Sequence, residues 1–201
     1  MKLWSSFAIV STVFALGACT KSEPSSGTAT PAAAPATPAA GATTAAATTA
    51  PSGLAAEGSP APAIDVTAHN GEHVSLAALR GKPVVVYFYP KDDTPGCTKE
   101  ACEFRDAWDK IKASGAVILG VSTQDTTSHV AFADKYKLPF LLLPDPDATI
   151  TKAYGVPLRN GLAKRVTFVI DPQGKIVKVF PDVNPSGHAA EIMAVLSTIH
   201  S

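Results

Sequence analysis

An excess of charge of either sign is missing from this chain: 17 Lys and Arg stand against 17 Asp and Glu in 201 residues. No basic run interrupts the part rich in aliphatic and aromatic residues. The electrostatic footprint with which nucleic-acid binders hold phosphate is therefore absent, and nucleic acid is not expected as a partner. Histidines are few and scattered. His69, His73, His129, His188 and His200 show no metal-ligand spacing, so surface or capping roles are expected of them and no metal site. With three cysteines, Cys19, Cys97 and Cys102, the chain cannot carry the dense disulfide framework of small secreted domains. It shows no internal repeat either, which argues against a solenoid.

What is present is divided sharply along the chain. Thr20 to Ala56 is mostly Ala, Thr, Pro, Ser and Gly, with Lys21 and Glu23 as its only charges and Leu54 as its only large aliphatic residue. Such a segment cannot bury enough apolar surface to offset its ordering entropy, and it reads as a disordered tether. About 37 flexible residues span on the order of 35 Å root-mean-square. From about Ser59 onward, aliphatic, aromatic and charged residues return together, which places one folded domain at 59–201.

The N-terminus, MKLWSSFAIVSTVFALGACT, has one Lys and then an apolar run from Leu3 to Ala18. The run is short for a membrane span and suits an export signal. Its end, LGAC, resembles the lipobox of bacterial lipoproteins, which implies a signal peptide at 1–18, lipidation of Cys19 and a tether at 19–58. The alternative is a free N-terminal transmembrane anchor. Either way the domain is expected outside the cytoplasm beside a membrane, facing the periplasm or the cell exterior. Thr20, after Cys19, is not the Asp associated with inner-membrane retention.

With Cys19 lipidated, Cys97 and Cys102 are the remaining thiols. At 100° per residue from Cys97, the residues Cys97, Ala101, Phe104, Trp108 and Ile111 fall on one helical stripe, the expected buried face. Cys102 falls on the charged side, between Asp106 and Asp109. Residues five apart in a helix lie about 8 to 9 Å apart at Cα, whereas a disulfide needs less than about 7 Å. A closed disulfide and an intact helix thus exclude each other. The spacing fits a pair that alternates between the two, which is redox chemistry more than stapling.

Other elements follow from periodicity. PVVVYFY (83–89) and AVILGVS (116–122) read as strands covered on both faces. A helix is expected from Cys97 to about Ser114, others near 126–136, 148–154 and 187–199, and a strand at 141–143. RVTFVID and IVKVF flank a turn, and Asn70-Gly71 marks an earlier hairpin. The sum is an α/β domain: a mixed central sheet with helices on both faces.

YPKDDTPGCTKEACEFRD, followed by VILGVSTQDTTSHVAFADKYKLPFLLLPDPDATITKAYGV and RVTFVIDPQGKI, resembles a peroxiredoxin of the bacterioferritin-comigratory-protein, or PrxQ, type. The resemblance covers 59–201 and includes the Pro-x-x-x-Thr-x-x-Cys pattern at Pro90, Thr94 and Cys97. It implies a thioredoxin-like fold and reduction of hydrogen peroxide and organic hydroperoxides by a thiol, with no metal and no organic cofactor. It further implies that Cys97 is the peroxidatic cysteine and Cys102 the resolving one, joined in a redox-active Cys97-Cys102 disulfide. Pro90 and Thr94 would shape the peroxide pocket, Arg165 would activate the thiol, a thioredoxin-like protein would be the reductant, and the protein would be a monomer.

General chemistry is consistent with those roles. Cleaving a peroxide O–O bond needs a thiolate, while a free Cys with a pKa near ~8.5 is mostly protonated at neutral pH. A helix N-terminus and an Arg both favour the ionised sulfur. The hydroxyl of Thr94 could serve the sulfur or the peroxide, or simply cap the helix or the loop. Pro95 is expected as a turn residue, Trp108 as packing, and Glu100 as a first-turn carboxylate favoured by the helix dipole, with loop orientation as its alternative role. Two other functions compete. Thioredoxin-like lipoproteins of the Sco type hold copper on a cysteine pair and a distant His, but with three residues between the cysteines. Thiol-disulfide exchange proteins use Cys-x-x-Cys and a Pro before the late strand, where this chain has Arg165-Val166.

Overall fold

Strand β3 (Val84–Phe88) is apolar at every position because both of its faces are covered, and all five residues are buried. A computed structural model of the chain describes residues 53–199. The expected signal segment, Cys19 and the tether as far as residue 52 lie outside the described residues, as do His200 and Ser201. In the described part β3 is the middle of a five-stranded sheet of order β5-β4-β3-β8-β9. On one side β4 (Val117–Ser122) and β5 (Leu141–Pro144) run parallel to it, with Tyr87 opposite Gly120. On the other side β8 (Val166–Ile170) and β9 (Ile176–Phe180) are antiparallel, with an irregularity at Val169/Ile170. The sheet is mixed, as the hairpin late in the sequence requires.

Side chains alternate across a strand, and along β3 this sorts the core into two halves. Val84, Val86 and Phe88 join a cluster with Ile150, Tyr154 and Phe168. Val85, Tyr87 and the following Tyr89 join a second cluster with Cys97, Phe104, Phe132 and Ile192. The first half is covered by the short helix α4 (Thr149–Ala153) and by the hairpin of β1 (Asp65–Thr67) and β2 (His73–Ser75), where Val66 pairs with Val74 about the expected Asn70-Gly71 turn. The second half is covered by α1 (Pro95–Asp106), α2 (Trp108–Ala113), α3 (Thr126–Tyr136) and α5 (His188–Ile199).

Three features depart from the sequence expectation. The helix expected over 97–114 begins at Pro95 and is broken at Ala107. Proline suits the first helical position because the N–H it lacks would have no partner there. At the break, the amides of Lys110 and Ile111 both converge on the Ala107 carbonyl at 3.1 Å, so the helix ends and restarts there; Trp108, beyond the break, is half-buried, with its ring near that of Phe140. Second, a small hairpin of β6 (Leu158–Arg159) and β7 (Leu162–Ala163) turns at Asn160-Gly161. Third, packed structure starts before Ser59. Ala55 is a core residue, its amide donates to the Tyr154 carbonyl at 3.0 Å, and Glu57 accepts from the Val179 amide at 2.9 Å. Ala-rich composition suggested tether there, but a small side chain is what this crowded face admits.

Candidate active site

The loop Tyr89–Thr94 leaves the C-terminal end of β3 and delivers the chain into the first turn of α1, which places Cys97 in that turn at 2% exposure. Arg165, immediately before β8, reaches across from the neighbouring strand. Its Nη2 donates to Cys97 Sγ at 3.2 Å, and its Nη1 makes a short hydrogen bond to Glu100 Oε2. A guanidinium has no acceptor and presents its donors in a fixed fork, so the fork is shared between one sulfur and one carboxylate.

Glu100 lies one turn after Cys97 on the same face, at 1% exposure. Burial raises its carboxyl to about 7, against the opposing pull of Arg165. For Arg165, nearer the surface, burial disfavours the charge, but Glu100 and Cys97 outweigh it and hold the guanidinium more firmly protonated than usual. Glu100 Oε1 and the Tyr87 hydroxyl are buried without a hydrogen-bond partner among the described residues. The expectation that Glu100 only serves the helix dipole is therefore corrected: its side chain points into the core and holds the arginine that touches the sulfur.

Cys102 is half-buried on α1, and the helix is continuous from Cys97 through it. Both thiols are free, the helical member of the two arrangements that the spacing predicts. Thr94 occupies the helix N-cap position, yet its hydroxyl does not cap; it donates to the Lys91 carbonyl at 3.0 Å. It thus closes the loop on itself. Pro90 and Arg165 both line a groove of about 450 Å³, together with Arg159, Leu162, Ala163 and Lys164. The structure therefore brings Cys97, Arg165 and Pro90 to one place, with Cys102 five residues on along the same helix.

A second set of side chains fastens the loop from behind. Asp92 accepts from the Tyr89 hydroxyl at 2.7 Å and from Ser128 Oγ at 2.6 Å, and it lies 2.8 Å from His129 Nδ1. Burial works against the Asp92 carboxylate, but His129, Ser128 and Tyr89 outweigh it and hold its pKa below the usual value. His129 is wholly buried, and so is His188, whose ring spans Glu191 and Thr167 at 3.0 and 2.9 Å. Surface roles fail for both. The signal was available for His129, which shares a helical stripe with Phe132, Ala133 and Tyr136. Among the described residues no three His, Cys, Asp or Glu side chains form a metal-binding group.

Known proteins share this architecture. The profile of the AhpC/TSA family matches residues 58–179. A putative peroxiredoxin bcp of Coxiella burnetii is 47% identical over 146 residues, covering 69% of this chain and 97% of that protein. The chloroplastic peroxiredoxin Q of Suaeda salsa is 45% identical over 147 residues, 72% of this chain and 69% of that protein. Among solved structures, peroxidoxin BcpB from Mycobacterium tuberculosis superposes with a TM-score of 0.67 at 34% identity, covering 72% of this chain and 98% of the other. Peroxiredoxin Q of Xanthomonas campestris gives a TM-score of 0.65 at 32% identity, covering 69% and 92%.

Proposed function

We propose a two-cysteine catalytic cycle for this chain, which belongs to the AhpC/TSA family and, within it, to the peroxiredoxins of the Q or bacterioferritin-comigratory type. Its fold is the thioredoxin-like peroxiredoxin fold, and its activity is that of a thiol-dependent peroxidase. In the cycle, the Cys97 thiolate attacks one oxygen of the peroxide. The O–O bond breaks, Cys97 becomes a sulfenic acid, and the departing oxygen takes a proton and leaves as water or an alcohol. The first turns of α1 then unwind, and the Cys102 thiolate attacks the Cys97 sulfur. The S–O bond breaks, the departing hydroxide takes a proton to leave as water, and the Cys97-Cys102 disulfide forms. An external dithiol of thioredoxin type reduces it to two thiols.

One observation carries this reading: a guanidinium donates to a buried sulfur at 3.2 Å in the first turn of a helix that holds a second thiol five residues on. Arg165 is placed to stabilise the thiolate and then the charge that develops on the leaving oxygen. Glu100 keeps the fork aimed, Pro90 walls the approach, and Thr94 shapes the loop through Lys91. The largely apolar groove beside Pro90 suits the organic part of a hydroperoxide, so both hydrogen peroxide and organic hydroperoxides are substrates in this reading. The chain acts as a monomer at the cell envelope, lipidated at Cys19 after removal of 1–18 and tethered to the membrane.

Mass spectrometry of the reduced protein, before and after one equivalent of hydrogen peroxide, tests the chemistry. The expected result is loss of two thiols, a Cys97-Cys102 crosslink and a lipid adduct on Cys19. Cys97→Ser abolishes peroxide consumption, whereas Cys102→Ser consumes one equivalent and stops without a crosslink. Turnover that survives Cys97→Ser would refute the assignment of the nucleophile.

A further inference from the structure

The segment that has to unwind is fastened at both ends to one residue of α3. Ahead of it, Asp93 has a left-handed backbone, φ 55°, a conformation that costs a non-glycine residue energy unless its surroundings hold it. Two neighbours on α3 hold it. Lys135 Nζ donates to the Asp93 carboxylate at 2.6 and 2.8 Å, and the Tyr136 hydroxyl donates to Asp93 Oδ1 at 2.5 Å. Behind the segment, Arg105 Nη1 donates to the Tyr136 carbonyl at 2.9 Å. α1 ends at the next residue, Asp106. Phe104, at 0% exposure, anchors the same end in the core.

Between Asp93 and Arg105, Arg165 donates to Cys97 and Glu100, Glu103 Oε2 accepts from the Gly187 amide at 2.7 Å, and Thr94 closes the loop onto the Lys91 carbonyl. We propose that Tyr136 latches both ends of the Cys97–Cys102 segment in its helical form and so sets how fast α1 opens for disulfide closure. The proposal rests on the two-cysteine cycle above. Tyr136 is a positioning residue. With the latch closed, the helix holds Cys102 away from Cys97. While the helix stays closed after the peroxide step, the sulfenic acid remains exposed to a second peroxide, which would oxidise it to sulfinic acid with release of water. The latch therefore trades resolution against overoxidation.

Tyr136→Phe removes the hydroxyl and keeps the ring against Phe132, whose centroid lies 5.3 Å away. Asp93→Asn weakens the same bond from the other side with a residue that tolerates the left-handed backbone. Rapid quench with thiol alkylation and mass spectrometry on the full chain separates the peroxide step, the closure step and the sulfinic fraction. In Tyr136→Phe, closure is expected to be about 2- to 10-fold faster, the range one hydrogen bond supports. The sulfinic fraction at excess peroxide falls and the peroxide step stays at the wild-type rate. Asp93→Asn also loses the Lys135 ion pair, so the double variant closes faster than Tyr136→Phe but by less than the product of the two single effects, because the Tyr136 bond is shared between them. Closure in Tyr136→Phe at or below the wild-type rate, or full additivity with Asp93→Asn, overturns the latch. A wild-type protein that consumes peroxide without ever linking the two cysteines overturns the cycle itself, and the latch with it.

Discussion

Replacing Arg165 with Met keeps most of the side chain's length and apolar bulk and deletes the two hydrogen bonds that organise the site, one to Cys97 Sγ and one to Glu100. A hydrogen bond to a charged partner contributes about 1.5 to 3 kcal/mol. At ~1.4 kcal/mol per tenfold in rate, losing the contact to the reacting sulfur slows the peroxide step about 10- to 150-fold. The second loss determines whether the variant folds. Burial already raises the Glu100 carboxyl to about 7 with Arg165 beside it, and Arg165 is the group that pulls it down. Without the arginine it rises further and is neutral at pH 7, so no buried charge is stranded. The cost surfaces at higher pH. A carboxyl whose folded pKa lies above its unfolded value binds more protons in the native state, so stability falls as pH climbs from the unfolded to the folded pKa and then levels off. The variant should keep losing stability above pH 7, where the wild type has levelled. Stopped-flow rates with hydrogen peroxide and urea midpoints at pH 5, 7 and 9 measure both effects. A slowing of less than about threefold, with an unchanged pH profile, would refute the assignment of Arg165 to the sulfur.

Glu100→Gln removes the titration altogether. The wild type should lose roughly 3 kcal/mol between pH 4.5 and about 7 from this group, and urea unfolding of the variant should lack that slope; an equally steep profile would place the titration elsewhere. In Gly120→Ala, the added Cβ would lie 2.7 Å from the Tyr87 ring and hydroxyl and 2.8 Å from Leu142 Cδ2. With strands on both sides, overpacking should cost about 1 to 3 kcal/mol in denaturant titration. Asp145→Ala strips a buried acceptor from the Ile150 amide and from the amide and hydroxyl of Thr151. A loss of about 2 kcal/mol or more is expected in the same assay, with peroxide turnover retained below the melting point.

The sheet was legible because burial on both faces leaves a plain mark: β3 and β4 are unbroken apolar runs, and β8 and β9 flank an obvious turn. The stripe through Cys97, Ala101 and Phe104 was equally clear, and all three are buried. The break at Ala107 was not, since it involves neither Gly nor Pro and the apolar periodicity runs on to Ile111 through it. Asn160-Gly161 is the same dipeptide signal as Asn70-Gly71, but the two-residue strands around it are too short to show alternation. Polar side chains were the hardest to place. Glu100 and His129 lie on core-facing helical stripes, yet a charged or imidazole group reads as surface until its partner is known, and those partners, Arg165 and Asp92, are 65 and 37 residues away. Burial of such groups is decided by long-range pairing, which composition and periodicity do not report.

The alternation along β3 makes the sheet a partition between two compartments that answer to different demands. Tyr87 and Tyr89 face the compartment that includes the sulfur, whereas Val84, Val86 and Phe88 face one that holds none of the reactive groups. Repacking that second side should register as a change in melting temperature and leave turnover alone. A substitution one residue along the same strand is felt by the chemistry. Libraries aimed at hardening the enzyme belong on the even-numbered residues of this strand, and those aimed at its reactivity on the odd ones.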